Sequence, residues 1–223
     1  MPRDKSPRER QGKHLARRGP TRPGHDRILI VTEGSKTEPV YFTEIRRSLR
    51  LQTASIMVLP SGSGTAPLRV VQHARDLFEN GDRGRIAPRT FDRVYAVFDR
   101  DSHGSYFDAL QLATSLDGKF KNDDRRAVAF RAIASIPSFE LWLLLHFEEV
   151  RAPLERDEVL RRLRQHLPVY AKGSVLVFQQ TRDLMETAMA RAEALAGRFN
   201  AHTAPQPYTG VFELVRLLLS LRP

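Results

Sequence analysis

The chain has no cysteine. That excludes disulfides, cysteine-ligated zinc and thiol nucleophiles, and it agrees with a reducing compartment. Long apolar runs are also missing: no uninterrupted stretch approaches the roughly 20 residues of a helical membrane span. The amino-terminal region lacks the apolar core of a secretory signal. A cytoplasmic protein without a membrane partner is the expectation. One Gly-rich stretch, "SGSGT" (61–65), lacks the lysine of a phosphate-binding P-loop, and no other nucleotide loop is evident.

What is present is an ordinary globular balance over 223 residues, with 41% hydrophobic and 28% charged side chains. That is enough for one large domain, or one domain with an added helical lobe. The net charge is +10, and its distribution is uneven. Residues 1–27 hold nine Lys or Arg against Asp4, Glu9 and Asp26, so +6 of the total lies there. Residues 1–26, rich in Pro and Gly, are expected to form a disordered basic tail, because too little apolar area offsets chain entropy. Such an arm either grips phosphates or an acidic partner, or merely solubilises.

Beyond the tail the periodicity alternates. "ILIVT" (28–32) is a β-branched run of the kind covered on both faces. Strands are also expected at 55–60, 93–99 and 127–134. Helices are expected after Thr37 (as a cap, with Pro39 in the first turn), after Thr65 (likewise, with Pro67), at 106–116 and at 138–149. This predicts an α/β core over residues 27–150 with a mainly parallel sheet flanked by helices. Residues 151–223 read as a helical extension packed on that core, with helices at 157–167, 181–199 and 211–221. No internal repeat is present.

In an open parallel sheet, ligands collect at the carboxyl ends of strands. The first strand ends in Glu33, and the third in Asp99 with Asp101 one residue later. Alternate residues of an extended segment point the same way, so Asp99 and Asp101 can share a site while Arg100 faces away. If the first and third strands are neighbours, Glu33 joins them. Three converging carboxylates suit a hard divalent cation, Mg²⁺ or Mn²⁺, and such a cation can polarise a phosphodiester. The alternative is solvated loop carboxylates.

The ordered pair Glu-Gly, then Asp-x-Asp, resembles the TOPRIM signature of type IA and II topoisomerases, bacterial primases and OLD-type nucleases. "VTEGSKTEPVYF", "VFDRDSH", "IPSFELWLLLHFE" and "QPYTGVFELVRLL" together resemble the RloB family from about Arg27 to the carboxyl terminus. Ile136 and Gln206 stand where that family usually has asparagine. The resemblance implies a TOPRIM-like fold and a role in prokaryotic anti-phage or abortive-infection loci, often beside an AAA-type ATPase. It implies Glu33 as the acid/base group and Asp99 and Asp101 as the metal-binding pair. It also draws attention to the Tyr170–Lys172 loop.

Further candidates follow from position. Lys36 can neutralise a phosphate or simply be solvated. Glu38, in the first turn of its helix, either complements the helix dipole or contributes to the site. Glu140 starts a helix at the correct sheet edge. His103, beside the Asp-x-Asp, is placed for proton transfer or substrate contact. His146, about 120° around the helix from Glu140, reads as a hydrogen-bonded structural histidine. Tyr170 and Lys172 could stack on a base and hold a phosphate. The expected function is a Mg²⁺-dependent nuclease acting on RNA, tRNA included, or on DNA, with an ATPase partner and a homo-oligomer among the possible assemblies. The competing expectation is a non-catalytic nucleic-acid-binding or ATPase-docking module. A phosphatase of the haloacid-dehalogenase kind is disfavoured, because Glu33-Gly34 stands where its nucleophilic aspartate would be.

Overall fold

The computed structural model describes residues 26–52, 56–62, 64–100 and 104–222. The basic tail, Asp101 and His103 therefore lie outside the described residues, apart from Asp26. Strands β1 (Ile28–Thr32), β2 (Ile56–Pro60), β3 (Arg93–Asp99) and β4 (Ala129–Ile136) alternate with helices α1 (Thr37–Ser48), α2 (Pro67–Asn80) and α3 (Tyr106–Leu116). Helices α4 (Glu140–Leu144), α5 (Arg156–His166), α6 (Val177–Thr181), α7 (Met185–Ala196) and α8 (Val211–Ser220) follow. A short strand β5 (Tyr208–Thr209) precedes α8.

The sheet order is β2-β1-β3-β4-β5, parallel except for β5. The α/β class with a mainly parallel sheet is as expected. All of β1 is buried, as a central strand covered on both faces requires. The pleat splits the core in two. Ile28, Ile30, Tyr95, Val97 and Ile133 face α1 and the carboxyl-terminal helices. Leu29, Val31, Val94, Ala96, Phe98 and Phe130 face α2 and α3. Among the described residues no helix is long and apolar enough to cross a membrane.

Four local expectations are corrected. The 138–149 helix is regular only over Glu140–Leu144. Beyond Leu144 the chain tightens: the His146 N–H bonds Leu143 O three residues back. The His146 Nδ1 lies 3.0 Å from Trp142 O and 3.2 Å from Leu143 O. The 181–199 helix is regular only over Met185–Ala196: Thr181 is the last residue of α6, and Arg182–Leu184 form a 3-10 turn between the two helices. Thr37 does not cap α1: it lies inside the helix, and its hydroxyl accepts the Gly173 N–H at 3.2 Å. Thr65 does not cap α2 either, since Ala66 holds that position without a side-chain bond.

Strand β5 was not anticipated. Two residues carry no legible period. Their pairing with Ser135 and Ile136 depends on α8 packing against the sheet. Ser135 and Thr209 hydroxyls meet at 3.0 Å across it.

Candidate active site

Chain order reverses between β1 and β3: β2 lies on one side of β1, and β3 on the other. The crevice beyond the strand ends at such a switch point is where α/β sheets take ligands. Here it is a cleft of about 320 Å³ lined by Glu33, Glu38, Asp99 and Glu140, with Lys36, Lys172 and Arg156. The condition for Glu33 and Asp99 to meet is satisfied, because β1 and β3 pair directly with Thr32 opposite Val97. The Glu33 N–H donates to Val97 O at 2.8 Å. The Asp99 N–H in turn donates to Glu33 Oε2 at 2.9 Å. The two residues thus fix each other through the sheet's own ladder geometry.

Glu38 arrives from the first turn of α1. Its carboxylate lies against Gly34, where an added Cβ would come within 2.5 Å of Glu38 Oε2. Gly34 is therefore needed for close approach. Glu140 comes from the start of α4, just past β4. Ser138 Oγ donates to its Oε2 at 2.7 Å, and Tyr170 Oη to its Oε1 at 3.2 Å. Tyr170 is buried with its ring in the core, so it holds Glu140 and offers no stacking face. Burial, and then the Glu140 charge, raise its hydroxyl pKa, so it stays a donor.

The loop carrying Tyr170 and Lys172 is tied to α1. Glu44 accepts the N–H groups of both Leu176 and Phe178, the latter at 2.9 Å. Gly173 sits at φ +84°, and an added Cβ would lie 3.0 Å from Lys36 Cβ.

All four carboxylates are buried, between 3% and 8% exposed. Asp99 is pushed well above the usual carboxylate range, first by burial, then by Glu38, Glu140 and Glu33; Arg156 opposes this. Glu38 is raised as well, by burial and by Glu140. Arg156 Nη2 stands 3.6 Å from Asp99 Oδ2. Arg156 is absent from the sequence-based candidates. Its one legible signal is a cation in the first turn of α5, where the helix dipole favours acids. Of the two roles open to Glu38, dipole complement or contribution to the site, its place in the first turn of α1 allows the first and its position in the cleft lining agrees with the second.

Arg100 turns to α3, over the rings of Tyr106 and Phe107, as the alternation requires. His146 is a core residue, 1% exposed, and burial lowers its pKa to about 4. Among the described residues no three acidic or histidine side chains stand close enough together to hold a metal ion by themselves. The donor set nonetheless has the chemistry of a hard-cation site: oxygen ligands only, and a buried aspartate destabilised by its acidic neighbours.

Comparison with curated proteins and with solved structures returned no match. A family model described as RloB-like protein matches residues 28–218, from the start of β1 to the last turns of α8. The matched segment contains every side chain of the cleft, and the chain belongs to the RloB-like family.

Proposed function

We propose that the cleft cleaves phosphodiester bonds of a nucleic acid, RNA or DNA, with a divalent cation, Mg²⁺ or Mn²⁺. The resemblance to the RloB-like family extends the reading to a TOPRIM-like catalytic centre working in prokaryotic anti-phage defence with an AAA-type ATPase. One observation carries the catalytic part. Four buried carboxylates converge at the β1/β3 switch point with three cationic side chains around them. Burying like charges together is costly unless a cation or a substrate group compensates. Glu33 and Asp99, with Asp101 beyond the described residues, would hold the cation. When bound, it supplies Lewis-acid polarisation of the phosphoryl group and stabilises the departing oxygen.

The remaining chemistry belongs to side chains. Glu33, oriented by the Asp99 N–H, is placed to move a proton at the nucleophile or leaving oxygen. Lys36, Lys172 and Arg156 are point charges for backbone phosphates. Tyr170 and Ser138 keep the Glu140 carboxylate aimed inward.

The second reading, a binding module without turnover, is favoured by the three cationic side chains Lys36, Arg156 and Lys172 that line the same cleft. Incubating the purified protein with single-stranded RNA or DNA and Mg²⁺ or Mn²⁺ separates the two. Cleavage that stops with EDTA, and falls about 10²–10⁴-fold in Glu33→Gln and in Asp99→Asn, supports the nuclease. Salt-dependent binding without turnover, unchanged by either substitution, supports the module.

A further inference from the structure

Helix α3 buries Tyr106, Ala109, Leu110 and Ala113 along one face. Phe107 lies off that face and is 45% exposed. It is the only aromatic among the exposed large hydrophobic residues described; the others, Val169, Val175, Leu176 and Leu184, are aliphatic and lie far along the chain. A single exposed apolar residue is ordinary. The setting of this one is not.

Arg100 is the residue immediately after Asp99. Asp99 points into the cleft, so Arg100 emerges on the opposite side of the strand end. There its guanidinium carbon sits 5.5 Å from the Phe107 ring centroid and 5.6 Å from that of Tyr106. Among the described residues it has no carboxylate partner. On Phe107 the exposed His202 ring lies nearly parallel, at 18° and 6.1 Å between centroids.

The loop bearing His202 is held in place. The His202 N–H donates to Asn200 Oδ1 at 2.8 Å, the Asn200 N–H to Thr203 Oγ1 at 2.9 Å, and Tyr106 Oη to Ala201 O at 2.9 Å. The main chain at Arg100 is fixed by its N–H on Ser135 O at 2.8 Å. The result is a preorganised cluster of ring faces with one guanidinium, one residue from a cleft aspartate.

We propose that Phe107, with Arg100 and His202, is a stacking platform for an unpaired nucleobase of a single-stranded nucleic acid whose backbone enters the carboxylate cleft. Every nucleobase offers a π face, so such a platform tolerates any sequence, and the guanidinium adds cation–π attraction and charge for the phosphate. A duplex hides its base faces, so unpaired nucleotides are the class selected. The inference rests on the nuclease reading for the identity of the ligand, and it names which form of nucleic acid the site takes.

The test is equilibrium binding of end-labelled short RNA and DNA single strands in EDTA, where nothing is cut. Phe107→Ala should weaken binding by about 10-fold or more, Phe107→Leu should do the same, and Phe107→Trp should restore it. Indole fluorescence of Phe107→Trp should be quenched by the strand, while the parent, whose one tryptophan is buried, shows no change. Abasic strands should bind parent and Phe107→Ala alike, and duplex should not compete. Binding of RNA alone would identify RNA as the source of the base; equal binding of both would mean that the platform ignores the sugar.

Unchanged affinity in Phe107→Ala, or equal quenching by an abasic strand, overturns the platform. If the parent binds and cuts single strands while Phe107→Ala is neutral, only the platform falls. If the parent binds no single strand, the platform falls, while the nuclease reading stands or falls separately on cleavage of single-stranded or duplex nucleic acid with Mg²⁺ or Mn²⁺.

Discussion

Asp99 is ionisable in a place that disfavours its ionisation. Burial and three acidic neighbours raise its pKa in the folded protein, and Arg156 offsets only part of this. A raised carboxylate pKa means that the folded state holds the proton more tightly than the unfolded chain. The sign follows: stability is fullest below the unfolded carboxylate pKa and is lost as pH rises towards the folded one. Asp99→Asn imposes the uncharged form at all pH values. At neutral pH without divalent cation it should melt above the parent, by about 2–4 °C for each ~1 kcal/mol of relieved repulsion, and the gap should close in acid. A thermal melt of both proteins across pH measures this. Clusters of like charges that lower stability are common at active sites in general.

His146 gives the opposite pH dependence. Its ring is buried beside Trp142 at 4.9 Å between centroids, and its Nε2 has no hydrogen-bond partner among the described residues. Burial lowers its folded pKa to about 4, below the ordinary histidine value of about 6.5. The unfolded chain therefore binds the proton first, and stability falls as pH drops below about 6.5 and continues to fall until about 4. The loss is on the order of 3 kcal/mol, at about 1.4 kcal/mol per unit. Chemical denaturation of parent and His146→Phe at neutral pH and in mild acid should show this segment of the slope disappearing in the variant.

At the scale of elements, loops and helix starts rather than strands set the cleft. The strands deliver Glu33 and Asp99. Glu38 depends on Gly34, and Lys36 and Lys172 depend on the loop that Glu44 and Thr37 pin to α1. The two glycines should behave differently. Gly173→Ala faces both a left-handed backbone and a tight contact with Lys36, so it should cost about 1–2 kcal/mol and lower the melting temperature. Gly34→Ala meets only the far end of the Glu38 side chain. It should leave the melt nearly unchanged while displacing Glu38 and reducing turnover. A melt paired with a cleavage assay on each variant separates the two outcomes.

At the scale of the whole molecule, the carboxyl-terminal helices share one apolar core with the sheet. Val211, Phe212, Leu214, Val215 and Leu218 of α8 are buried against the same cluster as Ile28, Ile30 and Val97. β5 adds ladder bonds to β4, and the Gly210 N–H donates to Ala134 O at 2.9 Å. A chain ended after Gln206 should therefore lose its cooperative thermal transition and expose apolar surface, instead of leaving a stable α/β core. Near-ultraviolet circular dichroism and a thermal scan would report this.

The amino-acid pattern alone determined the alternation of strands and helices, the burial of β1 on both faces, the opposite facing of Asp99 and Arg100, and the family to which the chain belongs. The first three follow from local periodicity, which a linear chain carries in full; the family follows from the resemblance of its motifs. It also pointed to Glu33, Asp99 and Glu140, because residues that follow buried strands are bound to lie at one sheet edge. Only the tertiary structure decided that β1 neighbours β3, which is what brings Glu33 to Asp99. Sheet order is a matter of which helices cover which face, and no local pattern records it. The same holds for Arg156, delivered from a helix distant in the chain, and for Tyr170, whose loop position suggested a stacking ring until packing placed it in the core. Phe107 is not among the sequence-based candidates, because its company of Arg100 and His202 needed the fold to bring the end of β3, α3 and the loop before β5 together.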